Sequence, residues 1–183
     1  MPYGEAVCSG DGEQTVRPAS VIAHVKVGDG PLRKVVFPVP HPDPLLARLL
    51  RDECQAQQVR KLSDLAFAPE WRERGKELHG TLVLTRRSGA NAITVRSIDG
   101  TTHYMIEGPV RTLEAGAARL EIPVVVTPAR CDPHAFAEAK KAYLFPVRVT
   151  VDREEKPRVV IVIPDEKAQV QMLYYAKKVC GLP

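Results

Sequence analysis

Hydrophobic and polar residues follow the same order in two stretches of the chain, residues 21–40 and 145–164. The first reads VIAHVKVGDGPLRKVVFPVP and the second reads FPVRVTVDREEKPRVVIVIP. In each, an alternating segment is followed by a polar turn, a second apolar segment and a closing proline. Alternation with a period of two is typical of β-strands, and glycine, aspartate and proline favour turns. The pattern therefore predicts two β-hairpins.

A helix is predicted after each hairpin. Asp43 is expected to cap the first helix, with Pro44 in its first turn ahead of LLARLLRDEC. Asp165 is expected to cap EKAQVQMLYYAKKVC, and Gly181 suits the exit of that helix. Helical spacing places apolar residues on one face of each helix: Leu46, Leu49, Leu50 and Cys54 in the first, and Met172, Tyr175, Ala176, Val179 and Cys180 in the second.

The four cysteines follow the same repeated order. Cys8 precedes the first hairpin and Cys54 ends the apolar face of the first helix, while Cys131 and Cys180 hold the corresponding places in the second copy. Their separations are similar, 46 and 49 residues. A constant offset of 124 residues also aligns the hairpins, matching Val25 with Val149, Val27 with Val151, Val35 with Val159, Val36 with Val160 and Pro40 with Pro164. We interpret this order as an internal duplication.

Residues 59–130, between the two copies, are rich in strand patterns. Asp99-Gly100 predicts a tight hairpin, and residues 67–78 predict a loop or short helix in which Trp71 packs into the core. The predicted strands lie within 78–87, 92–106 and 119–129.

The sequence as a whole predicts a β-rich α+β protein, with the duplicated hairpin–helix units arranged around an antiparallel sheet or sandwich. The first unit is expected over 1–58, central strands over 59–130 and the second unit over 131–183, packed as one domain or two closely associated ones. With 183 residues and 44% hydrophobic content, the chain is large enough to bury a core.

Four cysteines permit three pairings. The apolar face of each helix directs its last cysteine towards the sheet, and the other cysteine lies just before the strands of that sheet. The bridges Cys8–Cys54 and Cys131–Cys180 are therefore expected, with buried free thiols as the alternative. On the chain-entropy description, closing a loop of this size stabilises a fold by roughly 4 kcal/mol.

The segment CDPH at residues 131–134 raises two other interpretations, a metal site and a catalytic Cys131/His134 pair. Zinc sites require four ligands in paired spacing, and a haem attachment requires C-x-x-C-H; the sequence has neither. A cysteine nucleophile needs a positioned base, whereas Asp132 more simply caps the helix HAFAEAKKAY. No catalytic residue, metal ligand or cofactor is assigned.

The formal charge of +4 permits loose attraction to anionic polymers without requiring a specific nucleic-acid partner. The pairs Arg86-Arg87 and Lys140-Lys141 are interpreted as solvated. Positive charge favours helix C-termini, which accounts for Arg51, Lys177 and Lys178.

No apolar run approaches the roughly 18 residues of a transmembrane helix. The start of the chain, MPYGEAVCSGDGE, has no signal-peptide pattern. The protein is therefore expected either to be cytoplasmic or to begin after a leader that has been removed or left out.

The segment ARCDPHAFAEAKKAYLFPVRVTVD, followed by a strand and a helix ending in VC, resembles a family of uncharacterised secreted or lipid-anchored actinobacterial proteins. Its R-C-D-x-H-A-x-A-E-x-K pattern falls on Arg130, Cys131, Asp132, His134, Ala135, Ala137, Glu138 and Lys140. PYGEAVC at 2–8 resembles a second family segment. The resemblance covers most of the chain, most strongly 120–183, and implies an oxidising, exported setting without implying a function.

These observations favour a non-enzymatic extracellular or cell-envelope protein that binds a protein or a wall polymer. An edge strand at 144–151 is one expected place for partner binding. One alternative is a hydrolase assembled in three dimensions, with His103, Tyr104, Asp132 and His134 as its candidate residues. A second alternative, which rests on the charge alone, is a cytoplasmic nucleic-acid-binding protein.

Overall fold

The computed structural model describes residues 6–8, 15–138 and 141–182, without the side chains of 135, 137 and 138. The chain forms two compact units, of which the first ends at Cys54 and the second begins at Gln55. The second compact unit therefore contains both the central strands and the predicted hairpin–helix of 131–183, and the terms first unit and second unit refer below to these compact units. The fold is β-rich α+β, with antiparallel sheets and two disulfide bonds, as the sequence predicts.

The first unit contains one hairpin and the beginning of a helix. Strands β1 (Ser20–Val25) and β2 (Arg33–Pro38) pair antiparallel as a two-stranded sheet, with Ile22 opposite Val36. Helix α1 (Pro44–Leu62) follows. The Asp43 carboxylate accepts a hydrogen bond from the Leu46 backbone N–H at 2.8 Å, which confirms the predicted cap.

Helix α1 is longer than the sequence analysis predicted. It continues through QAQQVRKL to Leu62, so Cys54 and Arg51 lie within the helix and not at its end. The added residues contain neither glycine nor proline, and most of them are good helix formers. The basic residues of the last turn are Arg60 and Lys61, so the predicted placement of Arg51 near a C-terminus was wrong.

The second unit contains a four-stranded antiparallel sheet. Its strands are β6 (Ile93–Ile98), β8 (Arg111–Leu113), β10 (Phe145–Val151) and β11 (Arg158–Val162), in the order β11-β10-β6-β8. Strand β10 pairs with β11 on one side and β6 on the other. The prediction of an edge strand at 144–151 was therefore wrong: a strand from the centre of the chain covers that edge.

A second sheet in this unit has five strands. They are β3 (Ser63–Phe67), β4 (Arg72–Arg74), β5 (Glu77–Arg86), β7 (Tyr104–Glu107) and β9 (Arg119–Pro128). The order is β3-β5-β9-β7, and β4 pairs with the beginning of β5. The predicted strand regions of the centre are confirmed, whereas β3, β4 and β8 were not foreseen because each is short and has few buried residues.

Both sheets contribute to one hydrophobic core. Along β9, Ile122, Val124 and Val126 are buried while Glu121 and Pro123 are exposed, as expected for a strand covered on one face. The core also includes buried residues of the other sheet and of two helices: Ile93, Val95, Phe145, Val147, Val149, Val160, Val162, Val59, Met172 and Ala176. The second unit is thus a β-sandwich completed by helices.

The predicted hairpin at Asp99-Gly100 does not form. Strands β6 and β7, which flank it, belong to different sheets, so this turn carries the chain from one sheet to the other. Gly100 permits the close approach: an added Cβ would lie 2.5 Å from the Tyr104 carbonyl oxygen.

Two further helices follow Pro128. Helix α2 (Pro133–Glu138) begins with the Asp132 carboxylate accepting the His134 backbone N–H at 2.9 Å, which confirms the predicted cap. It is shorter than predicted, since residues 141–143 form a turn. Helix α3 (Glu166–Cys180) has the predicted cap at Asp165 and ends at Gly181, whose φ of 64° suits glycine.

The two hairpins differ in register and burial. Val21 pairs with Phe37, whereas Phe145, 124 residues after Val21, pairs with Val162 and not with Ile161. Residues that match at the constant offset of 124 are therefore not paired in the same way, because the register of β10 against β11 differs by one residue from that of β1 against β2. Strand β10 is largely buried, but every residue of β1 is exposed or only partly buried.

Candidate functional site

Both predicted disulfide bonds are present. Cys8 and Cys54 are joined with their Cα atoms 5.5 Å apart, and Cys131 and Cys180 are joined with theirs 5.1 Å apart. All four cysteines of the chain are consumed, so no thiol remains for metal binding or nucleophilic catalysis. CDPH is therefore half of a disulfide followed by a helix cap.

The four residues of the hydrolase alternative lie in unlike environments. His103 is buried, and its ring stacks on Phe136 of α2 with centroids 4.4 Å apart. Asp132 and His134 are exposed, and the Asp132 carboxylate accepts the His134 backbone N–H. The arrangement is an aromatic packing contact beside a helix cap.

Tyr104 occupies the centre of this aromatic cluster, stacked on Tyr143 at 5.7 Å and tilted against Phe145 at 6.3 Å. Its hydroxyl is buried and makes no hydrogen bond of good geometry with a described residue. Burial, aided by the nearby Tyr143, raises the pKa of Tyr104 well above its ordinary value. The phenol therefore stays protonated and is unsuited to act as a base at neutral pH.

The described residues contain no group of three or more His, Cys, Asp or Glu side chains arranged to hold a metal ion. Two open depressions of the second unit carry charge instead. The first, about 610 Å³, contains Arg72, Arg74, His79 and Glu70 beside β4 and β5. The second, about 580 Å³, lies at the end of α1 and contains Arg60, Lys61 and Arg87.

Arg86 was interpreted as solvated, and that interpretation was wrong. Its guanidinium is partly buried and donates to the carbonyl oxygens of Ala117 at 2.6 Å, Asn91 at 2.8 Å and Glu114 at 2.8 Å. Arg87 is exposed and pairs with Asp64 at 3.2 Å, as expected of a solvated side chain. Lys141 is exposed, whereas Lys140 lies outside the described residues.

The largest concentration of exposed apolar side chains lies in the first unit. Of the sixteen large hydrophobic residues exposed among those described, nine belong to it: Val7, Ile22, Val25, Val27, Leu32, Val36, Phe37, Leu45 and Leu49. In that unit Cys54 is the one described residue that is buried. An exposed apolar surface of this kind usually marks a binding site.

The hairpin β1–β2 carries six of these nine side chains. Val27 and Leu32, 82% and 66% exposed, flank its turn, while Ile22 and Val36 face each other across the strands. An open depression of about 400 Å³ near the turn is lined by Val25, Val27, Gly30, Pro31, Arg33 and Val35. Lys26 and Lys34 are also exposed, so the surface is apolar and basic.

Sequence reasoning did not find this surface, since alternating strands look alike whether or not something covers them. One local signal was available: Val27 and Leu32 lie beside the turn, where most hairpins carry polar residues.

Comparison with known proteins adds no family. No family model matches the chain. No curated protein matches it. None of the helices, as far as their residues are described, is long and apolar enough to span a membrane.

Proposed function

We propose that this protein is an exported, non-enzymatic binding protein of the cell envelope or extracellular space, and that the hairpin β1–β2 carries its binding surface. The observation behind the proposal is the exposure of apolar side chains on both faces of that hairpin. Its partner is a protein or a wall polymer.

The energetics of the hairpin support this proposal. An isolated two-stranded hairpin is only marginally stable in water, because it buries little apolar surface. Among the described residues, no further strand pairs with β1 or β2. A partner that covers Ile22 and Val36 removes apolar surface from water, and this burial stabilises the complex by about 25 cal/mol for each Å².

The two disulfide bonds support the exported location, because reducing compartments keep most cysteines as thiols. The resemblance to secreted and lipid-anchored actinobacterial proteins points in the same direction.

An internal duplication is part of the proposal. Two hairpin–helix units then took different roles: β10 acquired β6 as a neighbour and became, with β11, part of the core, while β1 and β2 kept an uncovered surface for a partner.

The binding test compares a double variant of the hairpin with a single control variant of the second unit, and both replace exposed apolar residues by aspartate. Ile22→Asp/Val36→Asp places charge on the paired hairpin positions. Met105→Asp places it on β7 of the second unit, at a residue that is also exposed. Purified protein is sedimented with cell envelopes of the producing organism and, separately, with wall polymer stripped of protein.

We expect the wild type and Met105→Asp to sediment with envelopes and the hairpin variant to remain in solution. Retention on stripped polymer identifies a polymer partner, and its loss identifies a protein partner. The proposal is overturned when the wild type stays in solution with both materials, or when the hairpin variant sediments like the wild type.

The location is tested on protein isolated from the producing organism. Intact mass under non-reducing conditions should be four hydrogens below the fully reduced mass, with the protein in the exported or envelope fraction. Four free thiols in protein recovered from the cytoplasm would count against an exported protein.

A further inference from the structure

The outward face of α3 carries an apolar stripe that the core does not use. Val170 is 53% exposed, Leu173 37% and Tyr174 70%. The residues of α3 that face the core lie on the opposite side of the helix: Ala168, Met172, Tyr175 and Ala176. Solvent-facing helix positions are usually polar, so this face has the composition of an interface.

The stripe has the spacing of a helix–helix seam. Glu166, Val170, Leu173 and Lys177 follow one another at intervals of four, three and four residues, which is the a/d pattern of paired helices. Tyr174 lies beside Val170 on the same face.

The ends of the seam are oppositely charged. Glu166 lies in the first turn of α3 and Lys177 in the last turn. An antiparallel pair of α3 helices, centred between Gln171 and Met172, places Glu166 of one copy opposite Lys177 of the other and Val170 opposite Leu173. A parallel pair would instead place like charges together.

We propose that α3 binds α3 of a second copy of this chain, antiparallel, through the seam of Glu166, Val170, Leu173 and Lys177. Two apolar contacts and two ion pairs then form at once, since the arrangement has two-fold symmetry. All residues of this surface belong to the second unit and none belongs to the hairpin β1–β2, and the inference does not rest on the function proposed for that hairpin.

The dimer is expected to be weak. A helix of 15 residues is about 22 Å long, and one pair of such helices buries less than the roughly 800 Å² per partner of a standard interface. The Kd of the dimer is therefore expected to be in the high micromolar range, about 100 µM.

Charge reversal tests the antiparallel register. In sedimentation equilibrium, Glu166→Lys and Lys177→Glu should each weaken self-association roughly tenfold, because both ion pairs become repulsive. An equimolar mixture of the two variants should associate like the wild type, since every Glu–Lys contact is then restored between unlike chains. Leu173→Glu should abolish association, while Met105→Glu, a matched change on β7, should not.

Circular dichroism of each variant verifies that α3 remains folded, since both charges also interact with the dipole of their own helix. A wild type that is monomeric at about 500 µM overturns the proposal. A mixture of Glu166→Lys and Lys177→Glu that stays as weak as its components also overturns it. Ile22→Asp/Val36→Asp should leave self-association unchanged, which separates this proposal from the one for the hairpin.

Discussion

The Trp71 indole fills the space that Gly80 leaves open on β5. A Cβ built at Gly80 would lie 2.4 Å from two carbon atoms of the ring, and the backbone carbonyl of Trp71 accepts a hydrogen bond from the Gln171 side chain of α3 at 3.0 Å. Trp71 is buried, as the sequence analysis predicted. The lack of a side chain at Gly80 of β5 thus makes room for Trp71, the residue immediately before the neighbouring strand β4.

Gly80→Ala is therefore expected to destabilise the second unit by about 1 to 3 kcal/mol, because the ring must move out of a filled core. Trp71→Leu removes the ring and should reduce the effect of the glycine substitution. Urea unfolding of both single variants and the double variant measures this coupling. Additive losses would show that the ring and Gly80 are independent.

Arg86→Ala should lower the free energy of unfolding by about 2 to 4 kcal/mol, because four carbonyl oxygens lose a charged donor. Arg87→Ala is the matched control: its ion pair with Asp64 is exposed on both sides, so its loss should stay within about 1 kcal/mol. Chemical denaturation of Arg86→Ala and Arg87→Ala measures the two losses of stability. Equal losses would contradict the role assigned to Arg86.

The two disulfide bonds should contribute differently to the second unit. Cys131→Ser/Cys180→Ser removes the bridge between two residues of that unit that are 49 positions apart, and it should lower the free energy of unfolding of the unit by roughly 4 kcal/mol. Cys8→Ser/Cys54→Ser changes residues of the first unit and should cost the second unit less, about 1 kcal/mol, because only the continuation of α1 after Cys54 joins its core. Hydrogen exchange of β5 and β9 reports the second unit directly. A loss there of similar size in both double variants would contradict this prediction.

Tyr104 should make the protein sensitive to alkaline pH. Its pKa is raised in the folded state, so its contribution to stability is complete below the unfolded pKa of about 10. Above that pH the unfolded chain loses the proton first, and stability falls by up to about 1.4 kcal/mol per pH unit.

Tyr104→Phe should reduce this alkaline slope and leave stability near neutral pH almost unchanged, because the hydroxyl has no hydrogen bond of good geometry to lose. Tyr175, whose pKa burial also raises, accounts for part of the remaining slope. Urea unfolding from pH 7 to about 11 measures the effect, with the exposed Tyr174→Phe as control. An unchanged slope in Tyr104→Phe would contradict the prediction.

Several local features could be predicted from the sequence alone, although the end of α1 and the short strands β3, β4 and β8 could not. Alternation gave both hairpins, Asp43, Asp132 and Asp165 gave the helix starts, and Gly181 gave the end of α3, because each depends on residues only a few positions away. The cysteine pairing also followed from the sequence, since each bridge connects the beginning of a hairpin–helix unit to its own helix.

Which surfaces are covered depends on contacts between residues that are distant in sequence. The two hairpins have the same pattern, yet β10 receives β6 along one edge while β1 receives no third strand among the described residues. The transfer of the chain between sheets at Asp99-Gly100, the carbonyl oxygens around Arg86 and the exposed face of α3 likewise depend on neighbours that are distant in sequence. A period of two or 3.6 residues specifies which side chains share a face, but what that face meets is set by long-range packing.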